Sequence, residues 1–531
     1  MKILICCNVY PPNFIGGAEL IAHQQALALT KLGHEVQIFT GDTQVAGERY
    51  SYHEELYENL KVHRIRLINI DYDPNYICFS HQEVEKRFIQ LSRKFCPDII
   101  HFHNIIGLSV TILRIARELN IKTILTLHDY WGFCLKNTMM KREKITCGDY
   151  SRCEECQSVI NDGMNRRIPI RLRQNYFKLM IDQVDFFISP SQFLAEMYLA
   201  ADINKERMNI IWNGIDFDYF DAIKKKSHNN IVRFSFFGYF GRHKGVATLI
   251  DALLYLKNKH CVQINLIGDG DEKLSYIDQL NKNNCANLVK FWGKLDNNQV
   301  YKAYAETDVL VLPSIWRENQ PVSITEAMTA GIPPIVSNMG GMPEMVEDGK
   351  TGLTFEAGSS QDLAEKMDFL IDHPELRQTY GRAAKEKMRN NTFENQARKL
   401  LALYKSDPPT YYKNINSCTL ILCVGHCFDS KCSTALKLLP YYLDYNSSPL
   451  LVMADWVTEQ QYKQATLIWI VDPKISINDI QKFFWLELPF LVPGENKNLV
   501  NLCCVGKFGL YYNDEHEAAA CIRYFLRGKI K

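Results

Sequence analysis

Short, fully apolar segments that end in a glycine or a polar residue, each followed by a helical pattern, dominate this chain, and the series starts twice. The first series opens with Met1-Lys-Ile-Leu-Ile-Cys-Cys-Asn8, a run fit for a strand buried on both faces. Gly16-Gly17-Ala-Glu19 follows, then Leu20, Ala22, Leu27, Leu29 and Leu32 at near-helical spacing, closed by Gly33. Val36–Thr40, Pro97–His103 and Lys122–His128 are the next strands. The second series runs through Arg233–Gly238, Gln263–Gly268, Leu288–Gly293, Asp308–Pro313 and Pro334–Ser337, with a helix over Val246–Lys257. Strands alternating with helices in this way imply parallel, doubly wound sheets. Two such domains are expected, 1–212 and 213–404, joined near Asn213-Gly214. Ligands in these folds sit beyond the carboxyl ends of the strands, here in the cleft between the domains.

At 531 residues there is room for about three domains. Residues 405–416 read as a linker and 417–531 as a smaller α/β module. Lys and Arg number 61 against 60 Asp and Glu, so composition offers no argument for nucleic-acid binding. The apolar run Ile3–Cys7 is too short for a secretion-signal core, and no apolar stretch reaches the roughly 18 residues of a spanning helix. A cytoplasmic protein with reduced, mostly buried thiols is the expectation.

The chemistry concentrates in Glu318-Asn-Gln-Pro-Val-Ser-Ile-Thr-Glu326, two carboxylates eight apart. The stretch after Pro321 reads as a helix carrying Glu326, with Glu318 in the loop before it. The helix N-terminus offers amides and partial positive charge to an anion such as a pyrophosphate. Gly16-Gly17, His128, Gly238…Lys244-Gly245, Gly268-Asp-Gly270, Glu318…Glu326 and Gly340-Gly341-Met-Pro-Glu344 occur in one order. With this set the chain resembles the family-four retaining glycosyltransferases of the GT-B fold, over roughly residues 1–404. The resemblance implies two Rossmann-like domains facing a cleft, a last helix near 386–404 that crosses back, and sugar transfer from a nucleotide diphosphate with retention. It implies that Glu326 holds the donor ribose, Glu318 the donor sugar, and Lys244 the departing diphosphate. Amides around Asn319, Gln320, Pro321 and Val322, and at Gly340 and Gly341, would bind phosphate or sugar oxygens. His128 would lie under the reacting centre, and Gly16 and Gly17 would let backbone approach the ligands. No metal or other cofactor is expected in catalysis, since lysine and amides answer the leaving group's charge. A UDP- or GDP-sugar donor and a glycan, lipid-linked or other glycoconjugate acceptor are implied. One departure stands out: Tyr239 occupies a place where the family commonly has arginine, leaving Arg242 as the nearest substitute phosphate ligand. That departure keeps open a catalytically weak nucleotide-sugar-binding or scaffold protein. An epimerase on the same fold has no sequence sign in its favour. His101 and His103 share one face of a strand; His103 reads as a hydrogen-bonded structural residue or, second to that, as an acceptor-site residue.

Cys134, Cys147, Cys153 and Cys156 follow C-x12-C-x5-C-x2-C in a polar segment. A structural zinc, reduced thiols or a disulfide pair all suit that spacing. Asn165–Lys178 mixes five basic residues with Ile168, Ile170, Leu172, Tyr176 and Phe177. It reads as a half-buried helix with a basic outer face, or as a peripheral contact with the inner face of a membrane. In the tail, Leu488-Pro489…Gly506-Lys-Phe-Gly509 echoes Ile332-Pro333…Gly349-Lys-Thr-Gly352. Seven residues before Pro333 stands Glu326, but seven before Pro489 stands Lys482. The tail therefore reads as a degenerate, non-catalytic half-copy of the second domain.

Overall fold

The computed structural model describes every residue except 14–15, 77–80, 141–146, 148–152, 158, 162–166, 226–230, 297–298, 410–419, 426–434, 436–449, 455–464, 487, 507–508 and 528–531. The first sheet has eight strands in the order Met208–Ile210, Phe186–Ser189, Lys122–Thr126, Ile99–Phe102, Lys2–Cys7, Glu35–Asp42, Leu60–Arg66 and Tyr52–Tyr57. Ile3, Leu4, Ile5 and Cys6 are fully buried because helices cover both faces of this parallel sheet, which is why the sequence shows no alternation there. The last strand is antiparallel to its neighbour, through a turn at Glu58 and Asn59 with φ of 47° and 65°. Its exposed Glu54 and Glu55 keep the sheet edge charged.

The second sheet has six parallel strands: Val289–Gly293, Val262–Ile267, Val232–Phe237, Val309–Leu312, Pro334–Ser337 and Leu353–Phe355. The chain crosses between the domains twice, side by side. Ile215 bridges to Thr392, and the Ile215 amide donates to Asn391 O at 2.9 Å. Beyond that crossing, the helix Phe393–Lys405 packs on the helix Gly17–Lys31 of the first domain and buries Ala397, Leu400 and Tyr404 in its core. Lys122 Nζ donates to Tyr404 O at 2.8 Å and to Ser406 O at 2.7 Å, pinning the helix end to the first sheet.

The tail holds more than half a domain. Its five parallel strands, ordered Leu450–Met453, Leu420–Val424, Ala465–Ile470, Phe490–Pro493 and Gly509–Tyr512, repeat the order of the second sheet without its outermost strand. Lys482 is exposed on a 3-10 stretch, Gln481–Leu486, so no carboxylate occupies its position.

The edge strand Leu450–Met453 packs against the helix Ile170–Ile181. This is the half-buried helix of the two readings, with its apolar side covered by protein. Ile170, Leu172, Tyr176 and Phe177 are all buried, and Arg173, itself 1% exposed, lies 3.7 Å from the Phe177 ring centroid. Residues that would have entered a bilayer belong to a core shared with the third sheet. Among the described residues no helix is long and apolar enough to cross a membrane. Deleting residues 410–531 is therefore expected to uncover an apolar helix face. The truncated chain should bind a hydrophobic dye strongly and melt several degrees lower, as read by dye fluorescence and calorimetry.

Candidate functional site

A cleft of about 590 Å³ opens between the first two domains at the carboxyl ends of their strands. Gly16, Gly17 and His128 line it from the first domain, and Lys244, Asn319 and Gln320 from the second. The two walls touch. Asn319 Nδ2 donates to the His128 carbonyl at 2.7 Å, and Tyr130 Oη to the Arg317 carbonyl at 3.0 Å. Gln320 exchanges two bonds with the backbone of Asn213 at the domain junction. Gly17 lies against Val322: a Cβ on it would come within 3.1 Å of the valine Cγ2. The side chains of Asn319 and Gln320 thus hold the domains together.

Glu318 and Lys244, expected as partners of separate parts of a donor, form one ion pair with Nζ–Oε1 2.6 Å. Ser314 Oγ and Trp316 Nε1 donate to the same oxygen at 2.8 and 2.6 Å. Burial acts against the charge of Glu318, but the Lys244 ammonium and these donors outweigh it and hold the carboxyl below its ordinary value. The loop is fixed by a close backbone approach. Gly340 sits at φ 64°, where a Cβ would lie 2.0 Å from Glu318 O, and the Gly341 amide donates to that oxygen at 2.7 Å. This corrects the role expected for Gly341, whose amide supports the Glu318 loop and is not left for phosphate. Glu344, at the end of the same motif, accepts from the amides of Gln192 and Phe193 at 2.7 and 2.6 Å. It caps a first-domain helix, Gln192–Ala200, across the cleft.

Pro321 is the N-cap of the helix Val322–Thr329; its carbonyl accepts from the amides of Ile324 and Thr325 at 3.1 and 3.5 Å, which leaves the Val322 and Ser323 amides of the first turn without a helical acceptor. Glu326 lies on this helix and accepts from Tyr304 Oη at 2.6 Å. Protein surrounds it although part of its surface is accessible. That burial raises its carboxyl to about 7, against the lowering effect of the tyrosine bond.

Arg242, expected as a donor contact, is not brought together with these residues, and neither is Tyr239, which stands where the family commonly has arginine. Arg242 is exposed and lines a separate cavity of about 440 Å³ with Gly245, Thr248 and Tyr276. Tyr239 is 46% exposed and donates to Asp271 Oδ2 at 2.5 Å.

His128 ends a buried file of imidazoles. His128 Nε2 and His103 Nδ1 are 2.9 Å apart, His103 stacks on His101 at 4.5 Å, and His101 bonds Thr126 and Tyr404 at 2.7 and 2.6 Å. Burial lowers all three, His128 to about 4 and His101 to about 3, so they are neutral at pH 7. His103 Nε2 is buried without a partner. A buried orphan N–H is costlier than an orphan lone pair, so the His103 proton belongs on Nδ1, donated to His128. The His128 proton then lies on Nδ1. His103 is therefore a positioning residue for His128.

Two acids in the cleft escaped the sequence reading. Asp129 accepts from the Trp131 amide at 2.7 Å, and its carboxyl is raised to about 7 by burial and by Glu19. Glu19 is 3% exposed and accepts from the Gly16 amide at 2.9 Å. Both lie inside motifs already singled out, Gly16–Glu19 and His128–Trp131, where the acid itself was the available signal.

The four cysteines are neighbours. Burial raises the Cys153 thiol to about 12, with Cys134, Cys147 and Cys156 adding to the shift. Among the described residues, however, no group of three or more His, Cys, Asp or Glu side chains is arranged to hold a metal ion. Their segment meets the second domain where Arg317 donates to Cys147 O at 3.4 Å.

Two family models match in tandem: glycosyltransferase family 4 over residues 15–219 and glycosyl transferases group 1 over residues 219–387. Glycogen synthase of Mycobacterium tuberculosis is 24% identical over 408 residues, covering 73% of this chain and 90% of its own. An uncharacterised glycosyltransferase of Methanocaldococcus jannaschii is 27% identical over 387 residues, covering 73% and 93%. In fold, the chain is similar to Anabaena HepE in complex with UDP, with TM-score 0.55, 18% identity and coverage of 76% of this chain and 99% of that one. It is also similar to sucrose-phosphate synthase of Thermosynechococcus elongatus, with TM-score 0.56, 19% identity and coverage of 76% and 98%. With these two models matched across the paired sheets, the chain belongs to the family-four type of GT-B glycosyltransferases.

Proposed function

We propose that this enzyme transfers a sugar from a nucleotide diphosphate donor to a glycan, lipid-linked or other glycoconjugate acceptor, with retention and without metal assistance at the diphosphate. The observation that carries the reading is the Lys244–Glu318 pair beside the first turn of the helix Val322–Thr329. The transition state loads negative charge onto the leaving diphosphate and positive charge onto the sugar. Lys244 and the first-turn amides answer the former, which is the chemistry that would otherwise fall to a metal. Neutral His128, with its proton on Nδ1, donates to a sugar hydroxyl and adds no cation beside the developing oxocarbenium. Glu318 accepts from other sugar hydroxyls while Lys244 turns to the diphosphate. HepE, similar in fold, binds UDP and UDP-glucose, which supports a nucleotide-sugar donor here.

A second reading, a binding protein with weak turnover, is favoured by Tyr239, which contributes no cation and points to Asp271. One experiment addresses both. Glu326 must be ionised to accept from two ribose hydroxyls, and its carboxyl is raised to about 7. Nucleotide affinity, measured by calorimetry with UDP and GDP, should therefore fall about tenfold per unit as pH drops below 7. Glu326→Gln should bind weakly and lose this slope. Binding with no pH dependence in the wild type overturns the assignment of Glu326. Full nucleotide binding with no transfer to any glycan supports the second reading.

A further inference from the structure

Tyr72 stands between the cleft and a second cavity of about 360 Å³, and lines both. Its position is fixed from two sides. A Cβ on Gly107 would lie 2.5 Å from the ring, one on Gly41 would lie 2.6 Å from the hydroxyl, and the hydroxyl donates to Asn8 O at 3.1 Å. The second cavity is formed by segments that follow the strands Lys2–Cys7, Glu35–Asp42 and Leu60–Arg66, the end of the sheet where parallel α/β folds receive ligands. Beside Tyr72, its wall is Asn13, Asp42, Thr43, Gln44, Asn69 and Asp73, with Val9.

The polar groups divide into two sets. Asp42 is buried and fully engaged: Arg64 Nη1 at 3.2 Å, Asn13 Nδ2 at 3.1 Å and the Gln44 amide at 2.7 Å all donate to it. Asp73 is engaged by Asn75 at 2.8 and 2.9 Å. The side chains of Thr43, Gln44 and Asn69 have no hydrogen-bond partner within the chain among the described residues. They offer a hydroxyl and two amides, groups that both donate and accept. No lysine or arginine lines the cavity, and its two charges are carboxylates. A phosphate or uronate there would face the Asp73 carboxylate with no cation on the wall to receive it, since the Arg64 guanidinium behind Asp42 is already paired with Asp42 and Glu55.

We infer that this cavity seats a neutral, hydroxyl-rich unit of the acceptor, held by Thr43, Gln44 and Asn69, so that a hydroxyl on its far side passes Tyr72 into the cleft. The inference rests on the transferase reading and names the class of acceptor: a neutral saccharide, not a sugar phosphate or an acidic sugar at this position.

The test is saturation-transfer NMR on the full chain, with methyl glucosides, galactosides and mannosides as neutral probes and methyl glucuronide and glucose 1-phosphate as anionic ones. At least one neutral probe should receive saturation, and both anions at least tenfold less. Thr43→Trp, which fills the cavity, should abolish the signal. Asn69→Ala, at an exposed position that leaves the fold intact, should weaken it about fivefold. Equal or stronger saturation of the anions, signal surviving in Thr43→Trp, or silence from every neutral probe overturns the inference. A UDP and GDP thermal shift is recorded on the same samples. If the shift is present and the sugars fail, only the acceptor assignment falls. If no nucleotide shifts the wild type, the transferase reading beneath it falls.

Discussion

Lys244→Ala is expected to lower turnover by about 10³-fold, the loss typical of removing a preorganised charge from a transition state. The leaving diphosphate then meets only the first-turn amides of the helix Val322–Thr329. The variant also strands Glu318, which is 6% exposed and keeps Ser314 and Trp316 as donors but no cation. Burial, the largest influence on that carboxyl, then prevails, and Glu318 takes up a proton nearer neutral pH. Structural and chemical losses separate in a double variant. Lys244→Met with Glu318→Gln removes both charges, so the melting temperature should recover while turnover does not. Nucleotide release from UDP- and GDP-sugars measures the first effect, and calorimetry the second. Turnover restored by the neutral pair would show that Lys244 serves only to hold the loop.

Gly340→Ala should cost about 2–4 kcal/mol of stability and most of the activity, although it adds one methyl group. At φ 64° an alanine is strained, and its Cβ would lie 2.0 Å from Glu318 O and 2.7 Å from Glu318 N, atoms of backbone that no rotamer change can move. The loop must shift, and with it the Glu318 carboxylate and the Asn319 bond to His128 O. Gly349→Ala is the control. It has φ 70°, with nothing within 4 Å of the added carbon, so it should show the backbone strain alone, about 1 kcal/mol, with turnover kept. Denaturant melts and transfer assays on both variants check the contrast.

What the sequence made legible follows from how local each feature is. Strands buried on both faces announce themselves as unbroken apolar runs, so four strands of the first sheet and five of the second were readable, while the short strands Phe186–Ser189, Met208–Ile210 and Leu353–Phe355 were passed over. Glu318 and Glu326 were readable because Pro321 marks a helix start between them. The edge hairpin Tyr52–Arg66 was not, since Tyr-His-Glu-Glu-Leu-Tyr is half polar and carries no clean period. The fate of an amide is not local either. Gly341 looks free in sequence, and only the return of Glu318 O to 2.7 Å consumes it. Arg242 lies two residues from Lys244, yet a single 3-10 turn, Arg242–Lys244, sends it to a different cavity. The basic, apolar segment ending at Lys178 has an amphipathic composition that suits a membrane and a protein partner equally. Which one covers it was decided by a strand more than 250 residues away.

The paired crossings at Ile215 and Thr392 act as a hinge pin. Two backbone segments fastened side by side permit swing about the line that joins them and resist sliding. Glu344, gripping the amides of Gln192 and Phe193 on the opposite wall, is then the door's catch. The third sheet hangs on the first domain through the helix Ile170–Ile181 and the pinned end at Ser406, so it travels with the frame. Parting the two walls would release together the grip of Glu344 on Gln192 and Phe193, of Asn319 on His128 and of Tyr130 on Arg317.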